Sequence, residues 1–306
     1  MKYKRTGKKF SKDEKRLLEL MYEGAVFEYK EKKYRIIFSD KPWCMSGEPK
    51  TDIYVKAENI DNASEIIEIK ISYKKENADF IENKMTADRA KQILGDDWKS
   101  IISDLLDKRG AEFESVDLVF FSKKGNTDSG AITLGWKFEI VDKPKAGRLS
   151  GNLNLNKEQL IEAYKGARNT DDKRNAKVCG QIIDNSGVAD YMVRIDSDKL
   201  LTAQDVINNL VPIEEYVKTH PVSTYVCKAL NYRTKSSNKR KWDGDRPLSV
   251  YVDWSNDNGM LTPKIIKEKP LEKRGNEMAN RLKKYLEELA IKDTDDLSSE
   301  NLNTDK

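Results

Sequence analysis

Histidine is nearly missing from this chain. His220 alone serves 306 residues. Nucleases built on histidine-metal centres, phosphodiesterases with paired histidines and Ser-His-Asp hydrolases all need imidazole at defined places. One ring ahead of Pro221, at an expected turn, cannot supply two, so His220 is expected to be structural. Cysteine is almost as scarce. Cys44, Cys179 and Cys227 are odd in number and far apart, which excludes a disulfide framework and a Cys-x-x-Cys zinc site and leaves them as small buried hydrophobes. No GxxxxGK[ST] loop and no GxGxxG turn is present, so neither a P-loop nor a dinucleotide fingerprint is available. Long apolar runs are also lacking. Mean hydropathy is −0.76, and no stretch approaches the roughly 18 to 20 apolar residues that span a bilayer. The basic opening MKYKRTGKKFSKDEKR is not followed by an apolar core, so a cytoplasmic protein without a secretory signal is expected.

Charge is abundant, at 35% of residues, yet nearly balanced at +4 from 56 basic and 52 acidic side chains. Its distribution therefore matters more than its total. Eight Lys or Arg fall in the first sixteen residues, and six lie between Lys228 and Lys241, interleaved with Tyr232 and Trp242. Patches of this kind release counterions when they meet phosphates. Asn231, Arg233, Lys235, Lys239, Arg240 and Arg246 are chemically able to meet base edges or phosphates. The same residues also suit a solvated basic loop. After Ile291 the chain is acidic with little to bury, and residues 292–306 are expected to be a disordered tail.

The chemistry concentrates between Glu48 and Lys75. EPKTDIYV and EIIEIKISYKK both read as strands. Side chains alternate faces along an extended chain. Glu68, Lys70 and Ser72 thus share one face and Ile67, Ile69, Ile71 and Tyr73 the other. In the preceding strand Asp52, Tyr54 and Lys56 oppose Ile53 and Val55. Pairing the two strands is expected to bring Asp52 beside Glu68, giving a hard divalent cation two carboxylate ligands, with Lys70 next to an attacking water.

Pro49, Asp52, Glu68 and Lys70 resemble the PD-(D/E)xK nuclease signature, with Lys50 and Thr51 inserted between the proline and the aspartate. The runs GEPKTDIYV and EIKISYKKENADFIENK are similar to those of Type II restriction endonucleases. The likeness covers Glu19 to Gly95, and more weakly the NYR at Asn231 to Arg233 and the run from Gly244 to Trp254. It implies Mg2+-dependent, sequence-specific hydrolysis of double-stranded DNA, with water as nucleophile and products carrying a 5′-phosphate and a 3′-hydroxyl. It also implies that Asp52, Glu68 and the backbone of Ile69 hold the metal, that Lys70 handles the water, and that the first helix lends a further acid, Glu19 or Glu23. A homodimer would match palindromic DNA. A nicking, repair or junction-resolving nuclease would use the same residues, and a DNA-binding protein with an inactive core is the alternative of a different class.

The expected fold is mixed α/β: a restriction-endonuclease-like central mixed sheet flanked by helices, with additional antiparallel strands. Ser11 with Glu14 three residues on is a capping box opening the first helix, Ser11 to Tyr22. Strands follow at Ala25 to Tyr29 and Lys33 to Ser39, then the two strands of the motif. Further elements are a helical region from Asp79 to Leu106 interrupted at Gly95, a buried strand at Val116 to Phe121, and a strand pair at Ala131 to Val141 and Arg148 to Leu155. A capped helix from Lys157 to Ala167 precedes a second strand pair, Lys177 to Ile183 with Ala189 to Ile195. A strand at Leu248 to Trp254 and a final helix from Glu272 to Leu289 complete the pattern. Residues 1–122 are read as the catalytic core and 123–291 as a specificity and scaffold region.

Overall fold

The strands on either side of Asp52 belong to a six-stranded mixed sheet. In the computed structural model, which describes residues 11–83, 85–234 and 244–303, the chain divides into two compact units. One comprises residues 1–79 and 155–221, the other 80–154 and 222–306. Residues 1–10 and 235–243, with Lys235, Lys239, Arg240 and Trp242 among them, lie outside the described residues.

The first unit opens with α1 (Lys12–Leu20), capped as its sequence requires: Ser11 Oγ accepts from the Glu14 amide while Glu14 reaches back to the Ser11 amide. β1 (Val26–Tyr29) and β2 (Lys32–Asp40) form a hairpin turning at Lys30 and Glu31, both with positive φ. β3 (Ile53–Asn59) pairs antiparallel with β2 and with β4 (Ile66–Lys74). Beyond β4 come Tyr191–Arg194, parallel to it, and Val211–Pro212, antiparallel at the edge. The apolar faces are as the alternation predicts. Ile53, Val55, Ala57, Ile69 and Ile71 pack with Leu17, Leu18 and Met21 of α1 and with Val206 of the helix Ala203–Asn208. This core fixes α1 across one face of the sheet.

The second unit is built on the long strand Ala131–Val141, which pairs with Thr224–Tyr232 and Val250–Asp257. Met260–Ile266 lies outside Val250–Asp257, and Ser150–Asn152 outside Thr224–Tyr232. The helix Gly275–Glu288 buries Met278, Leu282 and Leu286 at helical spacing. The chain is thus mixed α/β, with one mixed sheet and one larger antiparallel sheet. Among the described residues no helix is long and apolar enough to cross a membrane.

Several local expectations change. Arg148 to Leu155 does not hairpin with Ala131 to Val141, because Thr224–Tyr232 inserts between them. Ala189 to Ile195 joins β4 rather than Lys177 to Ile183, which closes on itself in a two-stranded hairpin. Val116 to Phe121 yields only Val119–Phe120, partly exposed, with Phe121 at 52% exposure. Residues 80–122 belong with the second sheet, since Phe80–Glu82 and Val119–Phe120 both pair with its long strand. The acidic segment after Ile291 is held: Leu297 is buried, Leu302 bridges Leu261, and Asp295 pairs with Arg233. Cys44 and Cys227 are buried as expected, whereas Cys179 is exposed in the Lys177 to Ile182 turn at φ 49°. His220 stacks on Tyr216 at 4.0 Å at the end of its helix, a structural role.

Candidate active site

Register decides what Asp52 meets. Ile53 opposes Ile71, Tyr54 opposes Lys70 and Lys56 opposes Glu68. One step before Ile53, Asp52 stands opposite Ser72, and Glu68 lies four residues farther along, about 13 Å away at strand spacing. The expected side-by-side placement of Asp52 and Glu68 is therefore not what the ladder gives. The cause is the turn. Asn59 receives the Ile60-side loop onto its own side chain, Oδ1 accepting from the amides of Asp61 and Asn62, and its amide donates to the Glu65 carbonyl. Glu65 is in turn held by Lys32 and Tyr34.

Glu68 is exposed, near the buried Tyr54 hydroxyl, which burial and then the Glu68 carboxylate hold protonated. Lys70 Nζ pairs with Asp190 at 3.0 Å, and Asp190 in turn faces Lys165, which pairs with Glu214 at 2.8 Å. These four charges form one neutral row. Ile69 is buried and paired with Val55 inside the ladder. Glu19 is exposed beside Lys15, and Glu23 is exposed after the helix.

A different set surrounds Asp52. Its Oδ2 accepts from the Tyr73 amide at 2.8 Å. Removal from water, followed by the Glu14 carboxylate, pushes the Asp52 carboxyl up to about 6, and the Tyr73 amide, Lys41 and Lys74 oppose that rise. Glu14 Oε2 accepts from Lys41 Nζ at 2.8 Å, with both side chains largely covered. Glu14 of α1 and Lys41, the residue after β2, thus pair directly, while Glu14, Lys41 and Lys74 act on Asp52 through their charges.

Local structure explains each placement. The capping box fixes Glu14, and Leu17 and Leu18 fix the helix that carries it. Asp40 holds the backbone at Lys41, its Oδ1 accepting from the Lys41 amide and its Oδ2 from the Cys179 amide. The approach to Asp52 docks on Gly187, whose carbonyl accepts from the Lys50 and Thr51 amides. A Cβ on Gly187 would stand 1.8 Å from the Lys173 carbonyl oxygen and 3.0 Å from Pro49. Only glycine fits there.

Glu14, Lys41 and Lys74 are the residues that strand alternation and motif reading pass over. The capping box already singled out Glu14 for a structural reason, and Lys74 sits two residues beyond Ser72 in the same EIIEIKISYKK run that suggested Lys70. Two carboxylates suffice for magnesium, which usually keeps waters and takes further ligands from phosphate. Among the described residues no group of three or more His, Cys, Asp or Glu gathers as a metal cage.

The proposed DNA-reading residues belong to the second unit. Arg233 is paired with Asp128 and Asp295, and Asn231 Oδ1 accepts from Thr133 Oγ1. Arg246 is half-buried, and its carbonyl accepts from the Gly275 amide. No family model, no curated protein and no solved structure matches the chain.

Proposed function

We propose that this protein is a magnesium-dependent endonuclease of double-stranded DNA, of the restriction type, whose metal-holding carboxylates are Asp52 and Glu14. The observation that carries the reading is the Asp52 carboxyl, held by the Tyr73 amide and raised by burial and by the charge of Glu14, together with the covered Glu14–Lys41 pair. Like charges held together away from water are costly, and a divalent cation relieves that cost. Oxygen-only donors suit Mg2+ rather than softer metals. When bound, the ion supplies Lewis acidity at a phosphate oxygen and a more acidic water.

The remaining work falls to the chain's own groups. Asp52, held by the Tyr73 amide, keeps its carboxylate aimed across β4. Lys74 follows the Ser72-Tyr73 step that opposes Asp52, the position relative to the aspartate that the motif assigns to its lysine. There its ammonium offsets charge that develops on the phosphate oxygens. Lys70, committed to Asp190, orders the neighbouring strands instead. Sequence specificity and a twofold dimer matched to palindromic sites are part of the same proposal, as is recognition by polar and basic residues such as Asn231 and Arg246.

Supercoiled plasmid with Mg2+ tests it. Wild-type protein is expected to give discrete linear fragments, open circles would indicate a nickase, and a smear a nonspecific nuclease. Asp52→Asn and Lys74→Ala are expected to cut at least ~100-fold more slowly, and Glu68→Gln within about threefold of wild type, as for a group outside the reacting cluster. Full activity in Asp52→Asn would refute the site.

A further inference from the structure

We infer that the outer edge of the strand Val119–Phe120, with the apolar cleft beside it, is the surface on which a second copy of this chain docks. The inference rests on the twofold dimer of the proposed function and names the surface that makes it. The larger sheet contains a gap. Three segments share one edge of Ala131–Val141 in turn: Phe80–Glu82 at Ile140 and Val141, then Val250 and Tyr251 at Trp136 and Gly135, then Val119–Phe120 at Ile132 and Ala131. Beyond Tyr251 the strand Val250–Asp257 keeps no ladder pair with Ala131–Val141, and its Trp254 donates the indole N–H to the Thr133 carbonyl at 2.9 Å instead. A cleft of about 820 Å3 opens between the segment around Val119 on one side and Pro263, Lys264 and Ile265 on the other, with Trp254 and Leu302 also lining it.

Hydrogen bonding leaves Val119–Phe120 with one side open. The Leu118 carbonyl accepts from the Thr133 amide and the Phe120 carbonyl from the Gly130 amide, each at 2.7 Å. Alternation along the strand then turns the Val119 N–H and C=O to the opposite side, where no strand pairs among the described residues. An open apolar edge is a template for another chain. Phe121, which follows the strand, is 52% exposed and stands at the cleft. One surface thus offers a strand edge, an aromatic knob and an apolar hollow. Antiparallel pairing of two such edges about a twofold axis is self-complementary, each Phe121 entering the cleft of the other copy. Charge points the same way. Glu114 and the paired Asp117 and Lys124 stand on one lip of the cleft and Lys264 on the other. Both signs therefore border it, which suits a second copy with the same lips better than a polyanion.

Sedimentation velocity of the full-length protein over a range of concentrations, without DNA, makes the test. Wild type is expected to dimerise, Phe121→Asp to weaken the dimer at least ~100-fold and Val119→Pro at least ~10-fold. Proline removes only the outward N–H of an edge strand, so the pairing with Ala131–Val141 survives, and far-UV circular dichroism of both variants is expected to match wild type. Phe121→Leu keeps an apolar knob and is expected to stay within about fivefold of the wild-type dimer affinity. A dimer that persists unchanged in Phe121→Asp and Val119→Pro overturns the inference and leaves the twofold dimer to another surface. Wild-type monomers at about 100 μM, with and without a DNA duplex, overturn both. Uptake of anilinonaphthalene sulfonate by those monomers, lost in Phe121→Asp, would then give the cleft to a small amphipathic molecule. Dissociation of the variants alongside a wild type that dimerises but does not cut plasmid would keep the interface and retire the nuclease.

Discussion

Asp52 stands just before a buried strand with its carboxylate partly withdrawn from water, bonded to the Tyr73 amide and within the field of Glu14, Lys41 and Lys74. Its proton affinity is raised, so the folded state retains a proton that the unfolded chain has released once pH exceeds about 4. The contribution of this group to stability is complete below that pH and is lost as pH rises through about 6. In metal-free buffer Asp52→Asn, which cannot ionise, should become progressively more stable than wild type between pH 4 and pH 7, by on the order of 1–2 kcal/mol at the upper end. Urea titrations at several pH values measure it. A difference that stays flat, or that favours wild type as pH rises, would remove the electrostatic account of this site. Adding Mg2+ should narrow the gap, because the cation takes the place of the proton.

At the level of elements, strand alternation and strand register carry different information. Ile53, Val55, Ile69 and Ile71 face the core as their spacing requires. Yet sliding β4 by two or four residues along β3 leaves every side chain on the same face. Alternation therefore cannot separate Glu68 from Ser72 as the partner of Asp52. The choice is made by the turn at Asn59 and Glu65, whose hydrogen bonds fix where the ladder starts. The capping box at Ser11 was legible because both of its residues lie within one turn. The need for glycine at 187 comes from the close approach of Lys173 and Pro49, which other segments of the chain supply. Gly187→Ala is expected to cost about 1–3 kcal/mol by overpacking and to weaken Mn2+ binding through displacement of the segment leading to Asp52. Calorimetric unfolding and a manganese titration together would show both effects, and wild-type values in both would deny Gly187 this positioning role.

Across the whole molecule, each unit is assembled from two separated stretches of chain. Tyr191–Arg194, parallel to β4, arrives more than a hundred residues after it, with part of the second sheet made in between. A fragment ending at residue 122 would lack this strand and the helices Lys157–Lys165 and Ile213–Thr219, leaving the edge of β4 and the apolar side chains beside it uncovered. Such a fragment is expected to lack cooperative unfolding in urea, whereas the full chain should show it. A sharp transition in the fragment would mean that the interleaved strand is dispensable.

The amino-acid order by itself determined the mixed α/β class, which faces of the early strands are apolar, the capped first helix and the final amphipathic helix. These depend on neighbours one to four residues apart. Tertiary structure alone decided that Asp52 stands opposite Ser72 rather than beside Glu68, that the chain is woven through two units, and that the acidic stretch from Lys292 to Asn303 is held in place. Those outcomes depend on hydrogen bonds and burial between residues distant along the chain, where local periodicity has no preference among registers of the same parity.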